Sequence, residues 1–121
     1  VVVWHSQGGI SVIVHICTQV AWEAAQGAGE YRDPSLESEG FIHCSRPDQV
    51  LRVANTWYRE VPDLVLLWID PQKVRPEIRW EPVEQDEFPH IYGPINLDAV
   101  VEVRDFSPDP DEVFRKVPGV W

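Results

Sequence analysis

Residues 64–69, LVLLWI, are six apolar side chains in a row, and that run constrains the fold more than any other feature. A strand with one wet face alternates apolar and polar residues, so one that does not alternate must be covered on both faces. The chain therefore needs packed layers on either side of a central strand. With 121 residues, 44% of them apolar, there is material for one such core. The reading is a single domain over residues 10–121, preceded by a poorly defined extension, residues 1–9, in which His5 carries no weight.

The partners of the central strand follow from local pattern. Residues 10–17 (ISVIVHIC) are β-branched and apolar after the Gly8–Gly9 turn, which predicts a strand. Thr18 is placed to cap a helix with Val20, Ala21, Ala24, Ala25 and Ala28 on its apolar face, ended by Gly27 and Gly29. Residues 31–39 read as a polar loop and 40–44 as a short strand. Ser45 and Asp48 have the spacing of an acidic capping box. Val50, Val53, Ala54, Trp57 and Val61 then recur at helical intervals until Pro62.

In the second half, residues 78–83 (IRWEPV) alternate as an antiparallel strand, with Pro82 marking an edge. Residues 84–87 form an acidic loop and 88–95 (FPHIYGPI) a proline-bounded turn. Residues 99–106 (AVVEVRDF) read as a strand with Val101 and Val103 on one face, and 109–117 as a short C-terminal helix. Two early helices and late strands without crossover helices predict an α+β fold around a small, curved, mostly antiparallel sheet.

Twenty acidic against ten basic residues leave a net charge of −10, which repels polyanions and argues against extended nucleic acid or an anionic membrane as partner. No apolar stretch approaches the ~18 residues of a membrane span, and no basic leader opens the chain. Cys17 and Cys44 lie in apolar runs and read as buried free thiols, which suits a cytoplasmic protein.

Three histidines remain as candidates for chemistry. His15 and His43 fall near the ends of the first two expected strands, so neighbouring strands would bring both imidazoles to one end of the sheet. His90 sits in the proline-bounded segment beside Tyr92 and Gly93, where the prolines reduce the entropy lost in presenting a side chain. Separations of 28 and 47 residues make no metal-ligand signature, and no metal is expected. Neither Ser45 nor the cysteines sit in a nucleophile motif. Imidazoles in one cleft suit sugar hydroxyls or a phosphate instead. Tyr31 is placed to stack on a flat ring, Ser45 to add a hydroxyl contact, and Glu81 to stabilise positive charge on a sugar carbon. Each also has a plain role, as hydrophobic anchor, helix cap and solvent-facing charge.

VHIC from Val14, GFIHCS from Gly40 and FPHIYGPI from Phe88, in that order, resemble the uncharacterised bacterial domain-of-unknown-function 952 family over about residues 13–106. That family is similar to a compact ADP-ribosyltransferase fold, nearest in function to the RNA 2′-phosphotransferase branch, which uses NAD. The resemblance implies that His15 and His43 hold ribose hydroxyls of a dinucleotide and that Tyr31 lies near the nicotinamide. Where ADP-ribosyltransferases carry a late glutamate, this chain has His90. The expectation is a transferase acting on NAD or a related nucleotide at the nicotinamide–ribose bond. His43, His90 and Glu81 would be catalytic, and His15, His43, Tyr31 and Ser45 cofactor-binding. The alternatives are a noncatalytic nucleotide or small-molecule binding module of the same fold, and a domain whose histidines only satisfy internal hydrogen bonds.

Overall fold

The computed structural model describes residues 12–119, so the extension, His5 and the start of the first expected strand lie outside the described residues. β1 (Ile13–Thr18) runs directly into α1 (Gln19–Ala28). Thr18 caps that helix by accepting a hydrogen bond from the Ala21 N–H at 3.1 Å, and Gly29 ends it at φ 86°, where a Cβ would be strained. β2 (Glu30–Tyr31) follows, then the single turn α2 (Ser35–Ser38), which occupies the middle of the expected loop. It forms because the Asp33 carboxylate accepts from the Ser35 N–H at 3.0 Å and opens the turn.

β3 (Ile42–His43) precedes α3 (Val50–Trp57), which begins five residues after Ser45. The expected capping box is absent. Ser45 instead pairs with Val14 through two backbone hydrogen bonds of 2.8 and 2.9 Å, and Gln49 stands at the helix start without a side-chain cap. The Gln49 side chain accepts from the Arg46 N–H and donates to Asp86 and to the Glu87 carbonyl, tying the helix entry to a neighbouring sheet. α3 buries Val50 and Ala54 but stops at Trp57, leaving that ring 75% exposed rather than in the core. Trp57→Ala is accordingly expected to change stability by no more than about 0.5 kcal/mol in a urea titration.

β4 (Leu64–Ile69) is buried at every position, as its unbroken apolar run requires. It lies between β1 and β8 (Val100–Phe106) in an antiparallel sheet of order β1-β4-β8. Val65, Leu67 and Ile69 face a cluster with Ile13, Tyr31 and Ile91, while Leu64, Leu66 and Trp68 face Val14, Val50 and Phe106. The expected alternation in β8 fails at one place. The register shifts opposite Trp68 and Ile69, so that Val101 is the extra residue of a bulge and is left 48% exposed.

β5 (Ile78–Val83) and β6 (Asp86–Ile91) form a hairpin with two residues between them, Glu84 adopting φ 58° at the turn. β6 is central in a second sheet of order β3-β6-β5, with β5 and its Pro82 on the edge. His90 therefore stands on a strand rather than in a turn. β7 (Ile95–Asn96) pairs with β2. The antiparallel expectation holds, but the strands form three small sheets, not one curved sheet, and the Val14–Ser45 bridge links the β1 sheet to the chain leaving β3.

No helix forms over residues 109–117. Glu112 takes φ 68°, and Asn55 clasps Phe114 by exchanging hydrogen bonds with its backbone N–H and carbonyl at 2.7 and 3.0 Å. Further on, Trp68 Nε1 donates to the Pro118 carbonyl at 2.9 Å, and Gly119, at φ 140°, lies so close that any Cβ there would overlap the indole. Gly119→Ala is expected to cost about 1–3 kcal/mol in denaturant unfolding, through that overlap and the backbone strain.

Candidate functional site

The second sheet presents one face to an open cleft of about 590 Å³. β3 and β6 pair so that His43 lies opposite His90 while Ile42 and Ile91 fall together on the other face, in the core. Cross-strand partners share a face, so the two imidazoles meet edge to face with centroids 5.2 Å apart. Phe41 stacks on His90 at 4.1 Å and 19°.

His90 is only 4% exposed. Its Nδ1 lies 2.7 Å from Glu81 Oε1, which also accepts from the Tyr92 hydroxyl at 2.6 Å. The hydrogen bonds from Tyr92 and then His90 hold the Glu81 carboxyl below the usual carboxylate range. An ionised carboxylate can only accept, so Nδ1 carries the proton, and in the neutral ring Nε2 presents a lone pair. Nε2 is buried and is the one buried side-chain nitrogen or oxygen without a partner among the described residues. Such atoms are rare in folded proteins because leaving them unpaired costs about 1–3 kcal/mol.

The other side of the cleft is built on His15. β1 sends Ile13, His15 and Cys17 to one face, and the Val14–Ser45 bridge sets β1 beside the chain leaving β3. His15 Nδ1 lies 2.5 Å from the His43 carbonyl oxygen, and its Nε2 lies 2.8 Å from the Tyr31 hydroxyl. Tyr31 in turn donates to Asp33 Oδ1 at 2.8 Å. The hydrogens can be counted. The carbonyl and the carboxylate only accept, and the tyrosine has one proton, already given to Asp33. That pattern favours a ring that donates from both nitrogens, and Asp33 Oδ1, 3.5 Å from Nε2, is placed to balance its charge. Burial acts to raise the Asp33 carboxyl, but hydrogen bonding and charge from His15, with the Ser35 N–H, outweigh it and hold the group well below the ordinary carboxylate range.

Of the residues expected at a site, His15, His43, Ser45 and His90 all line this cleft. Tyr31 does not. Its ring is 1% exposed, so neither face is open to stack on a ligand, and only its hydroxyl acts, between His15 and Asp33. Glu81 stands behind His90 as its hydrogen-bond partner instead of lining the cleft. Cys44 lines it, but burial pushes its thiol up, and burial likewise raises Cys17 to about 12, so neither is a thiolate at neutral pH.

Sequence reasoning passed over Asp33, Glu39, Trp57 and Tyr58, all of which line the cleft. Glu39 holds exposed His43 Nε2 at 3.1 Å, and Val53, Val83 and Phe88 complete an apolar wall with Trp57. The Glu81–His90 pair had a visible signal. A two-residue hairpin turn at 84–85 sets Glu81 opposite Phe88, one alternation from His90 on the same face. Among the described residues no group of three or more His, Cys, Asp or Glu side chains is placed to hold a metal, and no helix is long and apolar enough to cross a membrane.

Fold and cleft together define a small α+β protein with a histidine-lined pocket. Residues 16–103 match the family described as "Protein of unknown function (DUF952)", and the chain belongs to that family. The crystal structure of protein CC0527 from Caulobacter crescentus is 29% identical and superposes with a TM-score of 0.80 over 87% of this chain and 94% of that one. A double mutant of CC0527 gives the same values. Its solution NMR structure gives a TM-score of 0.75 over 86% and 91% at the same 29% identity. No curated protein matches.

Proposed function

We propose that the cleft binds a small organic molecule and acts on it through His90 as general base, with Glu81 as the positioning residue that fixes its tautomer. The buried, unpartnered Nε2 carries this reading. A carboxylate behind one imidazole nitrogen and a free lone pair on the other is the arrangement that accepts a proton from a donor placed about 3 Å away. The cleft volume falls within the range of about 300–1,000 Å³ typical of small-molecule sites.

Transfer at the nicotinamide–ribose bond of NAD is the specific form of this reading that the family resemblance favours, with a noncatalytic nucleotide-binding module as its counterpart. The exposed His43 side chain in the cleft supports a ribose contact there, whereas both nitrogens of His15 already have partners. The lining residues include no lysine or arginine to meet a diphosphate, so the flat nicotinamide half suits the cleft better than the rest of the dinucleotide.

Incubation with NAD, followed by mass spectrometry, is expected to release nicotinamide if the transferase form is correct, and Glu81→Gln to slow release while leaving its unfolding midpoint near wild type. Binding of nicotinamide riboside without release would favour the module. If no ligand shifts the ¹⁵N resonance of His90 Nε2, the site reading itself is wrong.

A further inference from the structure

We infer that the ligand of this cleft is a small aromatic cation, one that lays a flat ring against Trp57 and offers an N–H donor to His90 Nε2. The inference rests on the proposed binding role of the cleft and adds the charge and shape of what it binds.

The charges around the cleft give the first argument. Its lining includes the Asp33 and Glu39 carboxylates and the imidazoles of His15, His43 and His90, with no lysine or arginine. Asp33 lies 3.5 Å from His15 Nε2 and Glu39 3.1 Å from His43 Nε2, and Glu81 adds a further carboxylate directly behind His90. Arg79, the cross-strand partner of His90, is paired with Glu77 and lies over the Tyr92 ring at 4.4 Å. An anion entering the cleft would meet these carboxylates on a molecule of net charge −10, whereas a cation would be drawn in.

The second argument is an aromatic lining residue that is largely bare. Trp57 closes α3 with its ring 75% exposed and borders the cleft beside Val53 and Val83. A free indole face attracts both flat rings and cations. The third is the acceptor. Nε2 of His90 has a lone pair and no hydrogen in the neutral ring, so it discriminates in favour of a donor and leaves a carboxylate or phosphate oxygen facing another acceptor.

Three probes of nearly equal shape separate these terms: benzylamine, benzyl alcohol and benzoate, titrated while following tryptophan fluorescence and ¹H–¹⁵N spectra. Benzylamine is expected to bind about tenfold more tightly than benzyl alcohol, with benzoate weakest. Glu39→Gln, at an exposed position, should cut benzylamine affinity several-fold without changing that for benzyl alcohol, and Trp57→Ala should weaken both. Benzoate binding as tightly as benzylamine, or equal benzylamine affinity in Glu39→Gln, would overturn the cationic preference while leaving a binding site in place. Failure of all three probes to perturb the cleft resonances at millimolar concentration would remove the site reading together with the inference.

Discussion

Asp33→Ala is expected to lower stability by about 2–3 kcal/mol at neutral pH, the largest effect of any polar substitution near the cleft. The hydrogen count around His15 is the reason. The ring nitrogens face the His43 carbonyl and the Tyr31 hydroxyl, and Asp33 is the carboxylate placed to balance a charge on the ring. Removing one partner of a buried charge pair typically costs about 3–5 kcal/mol. Asp33 is 24% exposed, and after its loss the Tyr31 hydroxyl can turn and donate to a neutral His15 ring, so the lower figure applies here. The effect should also depend on pH in a defined direction. The folded protein holds the Asp33 carboxyl below its ordinary range, so the contribution is fully present above about pH 4 and fades as acid protonates the group. The stability gap between wild type and Asp33→Ala, measured in urea, should therefore be widest at pH 7 and narrow towards pH 3. A gap that stays constant over that interval would mean that the carboxylate is not the partner of a charged His15.

His90→Phe is expected to abolish ligand binding while leaving the protein as stable as wild type, or up to about 1 kcal/mol more so. A phenyl ring keeps the stacking on Phe41 and removes the one buried nitrogen without a partner. Replacing an unsatisfied polar atom by an apolar one is neutral or stabilising. Glu81 loses the His90 bond but keeps that from Tyr92 and is partly exposed to water. Any probe that donates to Nε2 should lose at least tenfold in affinity. Stability and binding moving in opposite directions is the mark of a residue kept for function at some expense to the fold. If His90→Phe instead unfolds the protein, His90 is a structural residue whose second nitrogen has no ligand to meet.

Much of the scaffold could be read from local pattern. The unbroken apolar run of β4 and the Thr18 cap and Gly29 terminus of α1 depend on residues a few places apart, where period and backbone preference act directly. His15, His43 and His90 were visible as candidates because imidazole chemistry is distinctive in any context. The Ser45–Asp48 cap and the C-terminal helix were locally plausible too, yet lost to tertiary contacts. The Val14–Ser45 bridge takes Ser45 away from the helix start, and the Asn55 clasp holds Phe114 in an extended segment.

By itself, then, the chain's order of residues determined an acidic α+β domain with a doubly covered central strand and three histidines available for chemistry. Only the tertiary structure decided what those histidines are. Register across the β5–β6 hairpin gave His90 its carboxylate and left Nε2 without a partner, and the Val14–Ser45 bridge brought His15 to the His43 carbonyl and into reach of Asp33. The physical reason is that a ring nitrogen's role depends on what lies within 3 Å of it, and every neighbour that matters here arrives from another strand or loop.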